Sequence, residues 1–268
     1  RPFSHSSEPE APDDAIFMID RPGIYNLTAG EYHADPCVEP SLSASKANIL
    51  LEWSPAHAWT DDPRLNPDWK PKHRDVWDLG TAAHHMVLRQ DYWREEITVV
   101  DAEDWRTTAA REAKDAARAA GRVPMLAAQY RELEAMVAAL ELHPHAGRAF
   151  CNGQPEQTLI WRDEQYGIWL RCRPDWTPSD RQAPWPDYKT TADARPGKWD
   201  RRWLLDHGGL IRVAMYEEGI RVVCGIPEPT LYYVVQEISP PYAITVRVLI
   251  EGASEILGGI DHVEAQLQ

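Results

Sequence analysis

Two acids and a lysine stand at a spacing that could support hydrolytic chemistry. Arg173-Pro174-Asp175 is followed, twelve residues after the aspartate, by Asp187-Tyr188-Lys189-Thr190-Thr191. If residues 185–190 form a strand, the pleat puts Asp187 and Lys189 on one face and turns Tyr188 to the other. Asp175, at the end of the preceding strand, can then approach Asp187 across the sheet. Converging carboxylates are tolerated mainly when a cation lies between them. Hard oxygen donors of this kind suit Mg²⁺ or Mn²⁺ rather than zinc. Lys189 would orient or deprotonate an attacking water, or stabilise charge developing at phosphorus. The ordinary alternative is a surface ion pair, because Asp-x-Lys arises often by chance. Glu156, at the opening of a hairpin strand, and His84, in Gly80-Thr81-Ala82-Ala83-His84, are further candidates that weigh against it.

These residues need elements to position them. Residues 1–15 read as a flexible tail rich in Pro, Ser and acids, and 16–268 as one domain. Within it, 16–150 is mainly helical and 151–268 carries a sheet. Ser43 caps a helix that Ser54-Pro55 stops. Residues 60–75 form a proline-broken polar loop. Gly80 to Leu88 has a helical apolar face of Ala83, Met86 and Val87, with His84 on or beside it. Helices are expected over Glu103–Ala120 and Met125–Leu142, separated by Gly121 and Pro124. Beyond Gly153 the texture turns β-branched and aromatic. Gln157–Arg162 and Ile168–Arg173 make a hairpin, Trp185–Thr190 a strand, 200–222 a helix, Thr230–Glu237 another strand and Tyr242–Ile250 an edge strand, with a short helix to close. Strand, helix, strand implies a crossover in a mixed sheet. The expected class is therefore α/β, a mixed central sheet flanked by helices with a helical N-terminal part.

The 268 residues, 43% apolar and 26% charged, exclude a disordered or collagen-like chain. No apolar run approaches the roughly 20 residues of a membrane helix. Arg1 to Glu10 lacks a signal-like stretch, which gives a cytoplasmic expectation. Cys37, Cys151, Cys172 and Cys224 are scattered without a Cys-x-x-Cys pair, so reduced thiols are expected and neither zinc nor an iron–sulfur cluster. The net charge of −14 discourages indiscriminate polyanion binding. Residues 161–222, however, hold 11 basic and 10 acidic side chains, which leaves room for a local basic groove.

Taken in order, Gly80-Thr-Ala-Ala-His84, Glu156, Arg173-Pro-Asp175 and Asp187-Tyr-Lys189-Thr-Thr-Ala-Asp193 resemble the PD-(D/E)XK nuclease superfamily. Glu31-Tyr-His-Ala-Asp35, Leu42-Ser-Ala-Ser45, Ser54-Pro-Ala56, Val234-Val-Gln-Glu237 and Pro240-Pro-Tyr242 are similar to its exonuclease VIII (RecE-type) branch, carried by bacteriophages and prophages. The resemblance implies a Mg²⁺-dependent 5′-to-3′ exonuclease on linear duplex DNA. Such an enzyme leaves 3′ overhangs for a single-strand annealing protein and assembles as a ring of three or four subunits, in a bacterial host cytoplasm if phage-encoded. It implies His84, Asp175, Asp187 and the Tyr188 carbonyl as metal ligands, Lys189 as the catalytic lysine and Glu156 as an auxiliary acid. His84 competes for its role with neighbouring His85 and with an ordinary core histidine.

Relatives commonly carry Tyr-His-x-Gln-x-x-x-Tyr on the helix after the lysine strand. Here Tyr216 remains, but Leu210 and Arg212 stand at the histidine and glutamine positions. Arg212 either clamps the scissile phosphate or pairs with Asp187 and hinders metal binding. The chain also ends before the Trp-Pro-containing tail usual in relatives. Arg173, Arg195, Lys198, Arg201 and Arg202, with Arg212 and Tyr216, are candidate DNA contacts; a solvated helix face is the alternative for the cluster 195–202. Of the 12 tryptophans, one or two could stack on bases, though packing is the stronger reading. Two other functions stay open: a catalytically weakened protein that binds DNA ends or a partner, and a structure-specific endonuclease.

Overall fold

The computed structural model describes residues 18–70, 75–88 and 93–249. The expected tail and closing helix lie outside them. The N-terminal part begins with β1 (Gly23–Tyr25) and α1 (Ala29–His33), then β2 (Ser41–Ser43), α2 (Ala44–Glu52) and α3 (Pro55–Thr60). Next come α4 (Asp75–Leu88), α5 (Trp93–Glu96), β3 (Ile97–Val100), α6 (Thr108–Ala119), β4 (Val123–Leu126) and α7 (Ala127–Leu142). The second half runs β5 (Gly153–Pro155), β6 (Thr158–Arg162), β7 (Trp169–Cys172), β8 (Trp176–Pro178), β9 (Trp185–Thr191), α8 (Pro196–Asp200), α9 (Gly209–Cys224), β10 (Leu231–Glu237) and β11 (Ile244–Leu249).

Side-chain oxygens set the helix starts. Thr28, Ser43, Ser54 and Thr107 each accept a backbone N–H from the first turn of α1, α2, α3 and α6. Ser54-Pro55, expected only to end a helix, also begins the next, since a proline in the first turn needs no donor. The helix expected from Glu103 starts at Thr108, where Thr107 caps it. The stretch around Pro124, expected to be a break, is β4, which pairs in parallel with β3. The helix expected over 200–222 is interrupted: α8 runs into a π-helical turn, Arg201–Asp206, and Gly208 at φ +66° separates that turn from α9. A Cβ at Gly208 would lie 2.1 Å from Asn48 Oδ1 on α2, so the break is also a close approach.

The fold is mixed α/β, as expected. Its mixed sheet comes as separate pieces. The four-stranded piece has the order β1-β6-β7-β2 and holds the expected hairpin; the three-stranded piece has the order β11-β10-β9, with β9 and β10 parallel and β11 antiparallel at the edge; β3-β4 and β5-β8 are two-stranded ribbons. β10 up to Gln236 and the first four residues of β9 are buried on both faces, which explains their apolar and aromatic content. One face, through Tyr188, Tyr232 and Val234, packs on Ala83, Met86 and Val87 of α4 and Leu133, Met136 and Leu140 of α7. The other, through Trp185, Leu231, Tyr233 and Val235, packs on Val213, Tyr216 and Ile220 of α9 and on Trp161 and Cys172. Trp161, Trp169, Trp176, Trp185 and Trp199 are buried, so packing accounts for them. All four cysteines are free thiols. Among the described residues no helix is long and apolar enough to cross a membrane.

Within the polar loop that follows α3, buried Asp62 accepts the backbone N–H groups of Arg64 (2.8 Å) and Leu65 (2.9 Å) and pairs with the Lys46 ammonium of α2. Burial pushes its carboxyl up, but the lysine and the two amides outweigh that and hold it below the usual carboxylate value of 3.8. Asp62→Asn is expected to cost about 3 kcal/mol at neutral pH, the range for breaking a buried pair. A carboxyl with a depressed folded-state pKa stabilises above its unfolded value and loses that contribution as pH falls through the folded one. The difference between variant and wild type should therefore shrink below pH 3.8. Urea unfolding at pH 7 and near pH 3 measures both.

Candidate active site

Three separate stretches meet at one point. β9 supplies Asp187, Tyr188 and Lys189; the turn between β7 and β8 supplies Asp175; α4 supplies His84. Strand alternation does what the sequence implied, with Asp187 and Lys189 on one face of β9 and the Tyr188 ring on the other. Asp175 is fastened to β9 by its Oδ2, which accepts the Tyr188 N–H at 2.8 Å. His84 Nδ1 lies 3.6 Å from the same oxygen, and its ring meets the Tyr188 ring edge-on at 5.6 Å.

Lys189 holds the centre. Its Nζ contacts Asp187 Oδ1, lies 3.4 Å from Asp175 Oδ2, and donates to the Tyr188 carbonyl at 3.1 Å. Its three donor directions are thus spent on the same oxygens that the resemblance assigns to a metal. The other oxygen of Asp187 is buried and has no partner. Burial and then the nearby Asp175 push the Asp187 carboxyl up to about 6. Burial, helped by the Lys189 ammonium, holds His84 down at about 4, so at neutral pH the ring offers a lone pair rather than a charge.

The remaining sequence candidates divide into two groups. Glu156 is adjacent: its N–H donates to the Asp175 carbonyl (2.9 Å), and its backbone takes φ 51°. Its carboxylate, though, sits 3.1 Å from Arg173 Nη2, and Arg173 Nε donates to the Glu156 carbonyl at 3.0 Å. This pair braces the Asp175 turn. Tyr216 joins it by donating to the Arg173 carbonyl (3.0 Å). Arg212, one turn earlier on α9, makes no ion pair with Asp187. Its guanidinium, which burial would make less basic, is held firmly protonated by Tyr216 and Asp187. Arg195 and Lys198 turn onto Asp193, at 2.6 and 3.8 Å, and Arg202 Nε donates to His207, so most of the cationic cluster at 195–202 is engaged locally; Arg201 is exposed.

Tyr233 belongs to no motif in the sequence. It lies on β10 directly opposite Asp187, is fully buried, and its ring lies 5.8 Å from Lys189 Nζ. The available signal was the pairing of β9 with the later β-rich run, since parallel neighbours face the same side.

The Tyr188 side chain is structural. Its hydroxyl donates to Gln236 Oε1 (2.7 Å), and Gln236 Nε2 donates to the Met136 carbonyl on α7 (2.8 Å). Tyr188→Phe leaves a buried acceptor unpaired, so a loss of about 1–3 kcal/mol in unfolding free energy is expected, with the arrangement of Asp175, Asp187 and Lys189 retained. Denaturant titration and a crystal structure of the variant test both halves.

An oxygen-rich donor set fits Mg²⁺ or Mn²⁺. Among the described residues no three His, Cys, Asp or Glu side chains stand together closely enough to cage an ion. Mg²⁺ does not require such a cage, because it keeps several waters and binds through one or two carboxylates plus substrate phosphate. The unpartnered Asp187 oxygen, Asp175 and a backbone carbonyl meet that requirement.

Residues 43–268 match the family described as a PDDEXK-like domain of unknown function (DUF3799). No curated protein matches the sequence. Among solved structures, a protein of Eubacterium rectale described as a "putative exonuclease" superposes with a TM-score of 0.58 at 14% identity, over 85% of this chain and 79% of that one. At that identity the likeness is one of fold.

Proposed function

The chain belongs to the PDDEXK-like domain family DUF3799, and we propose that it is a divalent-metal-dependent nuclease, a 5′-to-3′ exonuclease on linear duplex DNA. The observation that carries this reading is the meeting of Asp175, Asp187 and the Tyr188 carbonyl on the Lys189 ammonium, with neutral His84 beside them. Asp175, Asp187 and the Tyr188 carbonyl would hold Mg²⁺ or Mn²⁺, and the resemblance adds His84 as a further ligand. Such an ion supplies charge neutralisation at phosphorus and a polarised water.

The chain's own groups do the rest. Strand β9 fixes Asp187 and Lys189 two residues apart on a rigid element, and the Tyr188 N–H locks Asp175 against them. Lys189 Nζ lies between the two acids, so its ammonium can orient a water or balance charge on a phosphate presented to them. The Glu156–Arg173 pair keeps the Asp175 turn in place from below. By resemblance to exonuclease VIII the product is a 3′ overhang passed to a single-strand annealing protein, and the enzyme is a ring of three or four subunits.

Digestion of an end-labelled linear duplex with and without Mg²⁺ tests the reading. Expected is Mg²⁺-dependent release of the 5′ label, with circular duplex left intact. Cutting of circles would favour a structure-specific endonuclease, and retention of DNA without cleavage in Mg²⁺ or Mn²⁺ a weakened end-binding protein.

A further inference from the structure

Arg212 and Tyr216 leave the same face of α9, one turn apart. Tyr216 fixes the direction of that face, because its hydroxyl reaches the Arg173 carbonyl two residues before Asp175. Arg212 is half-buried there, and among the described residues its guanidinium makes neither hydrogen bond nor ion pair. The acids nearest the site do not serve it, since Asp187 Oδ1 and Asp175 Oδ2 are held by Lys189. A half-buried guanidinium that no protein anion holds can take an anion from a ligand.

Tyr233 approaches the same place from the sheet. Its ring is wedged against Trp203 (4.4 Å) and Trp199 (5.7 Å), so the hydroxyl cannot swing elsewhere, and that hydroxyl is buried without a partner. Asp187, Tyr233 and Asp175 all act electrostatically on Arg212, and Tyr233 stands directly opposite Asp187 in the register of β10 on β9. A permanent cation with five donors and a neutral hydroxyl, both unspent, thus lie on the side of the sheet that carries Asp187. An oxyanion is the ligand that satisfies the two together.

We propose that Arg212 and Tyr233 form a phosphate clamp, holding a non-bridging oxygen of the DNA phosphate presented to Asp187 and Lys189. The clamp rests on the nuclease reading above and assigns these two residues to positioning the substrate. It gives a use to the cation that stands where relatives carry glutamine.

The test reads duplex binding rather than turnover. In an Asp187→Asn background, anisotropy of a labelled linear duplex is followed in Mg²⁺ buffer between about 50 and about 200 mM salt. Arg212→Gln is expected to weaken binding about tenfold and to flatten the dependence of log affinity on log salt by about one phosphate contact. Arg212→Lys should keep the slope while losing part of the affinity, because the charge remains and the fork does not. It also keeps the test open if the glutamine variant does not fold. Tyr233→Phe should weaken binding severalfold with an unchanged slope, and its Tm should equal or exceed that of the parent, because a buried orphan hydroxyl is gone. If Arg212→Gln and Tyr233→Phe bind like the parent, at the same slope, in a protein whose wild type cleaves DNA, the clamp is wrong and the nuclease reading stands. A wild-type protein that neither binds nor cleaves duplex overturns both.

Discussion

Asp187→Asn is expected to lower duplex cleavage by about a thousandfold or more and to leave the protein folded. Asp187 is only 2% exposed, on a strand buried on both faces, and one of its oxygens has no protein partner. A buried acid beside a second acid is a poor way to stabilise a fold, and the upward push on its carboxyl, to about 6, reflects that. Asparagine keeps the shape and removes the charge. If Asp187 serves only as the partner of Lys189, breaking the pair should cost about 3–5 kcal/mol and leave any activity untouched. If it serves the reaction, the order reverses: Tm stays level or rises as the repulsion from Asp175 disappears, and cleavage is lost. Thermal unfolding by circular dichroism and hydrolysis of a labelled linear duplex distinguish the two, and full activity in the variant would falsify the assignment.

Much of the site was legible because its geometry is local. The two-residue period of β9 separates Asp187 and Lys189 from Tyr188 without any tertiary information, and the hairpin of β6 and β7 leads Asp175 toward them. His84 was readable from the apolar face of α4, where Ala83, Met86 and Val87 are buried. What was not legible depended on contacts distant in sequence. Glu156 reads as a member of an acidic group, yet Arg173 takes its carboxylate, and that pairing depends on how the backbone turns at φ 51°. Tyr233 sits in a run whose residues are nearly all buried, so no pattern within β10 marks it; only the register against β9 does. The fold errors have similar causes. β3 and β4 are four residues each, too short for a period to register, and the proline in β4 reads as a breaker although a two-stranded ribbon accommodates it. The π-helical turn has helical composition throughout, and the break after it falls at Gly208, which stands against Asn48 of another helix.

Lys189→Met should abolish cleavage and also make the stability of the protein depend more strongly on Mg²⁺. In the wild-type chain the ammonium provides the counter-charge for Asp175 and Asp187, because His84 is neutral above about pH 4. Methionine keeps most of the apolar stem and removes the charge, leaving the two inward carboxylates without the ammonium that contacts them both. Removing one partner of such a pair costs about 3 kcal/mol, partly offset because Asp187 can take up a proton. Divalent metal restores the missing charge. Wild type should gain less from it, since there the ion must displace the ammonium from the oxygens it already holds, and stabilisation by a ligand scales with its affinity for the folded state. Added Mg²⁺ is therefore expected to raise the Tm of the variant more than that of wild type, although only wild type cleaves DNA. Equal shifts in the two proteins would put the ion away from Lys189, and with it the proposed hydrolytic centre; a larger shift in an inactive variant would separate the lysine's part in the reaction from its part in holding the acids together.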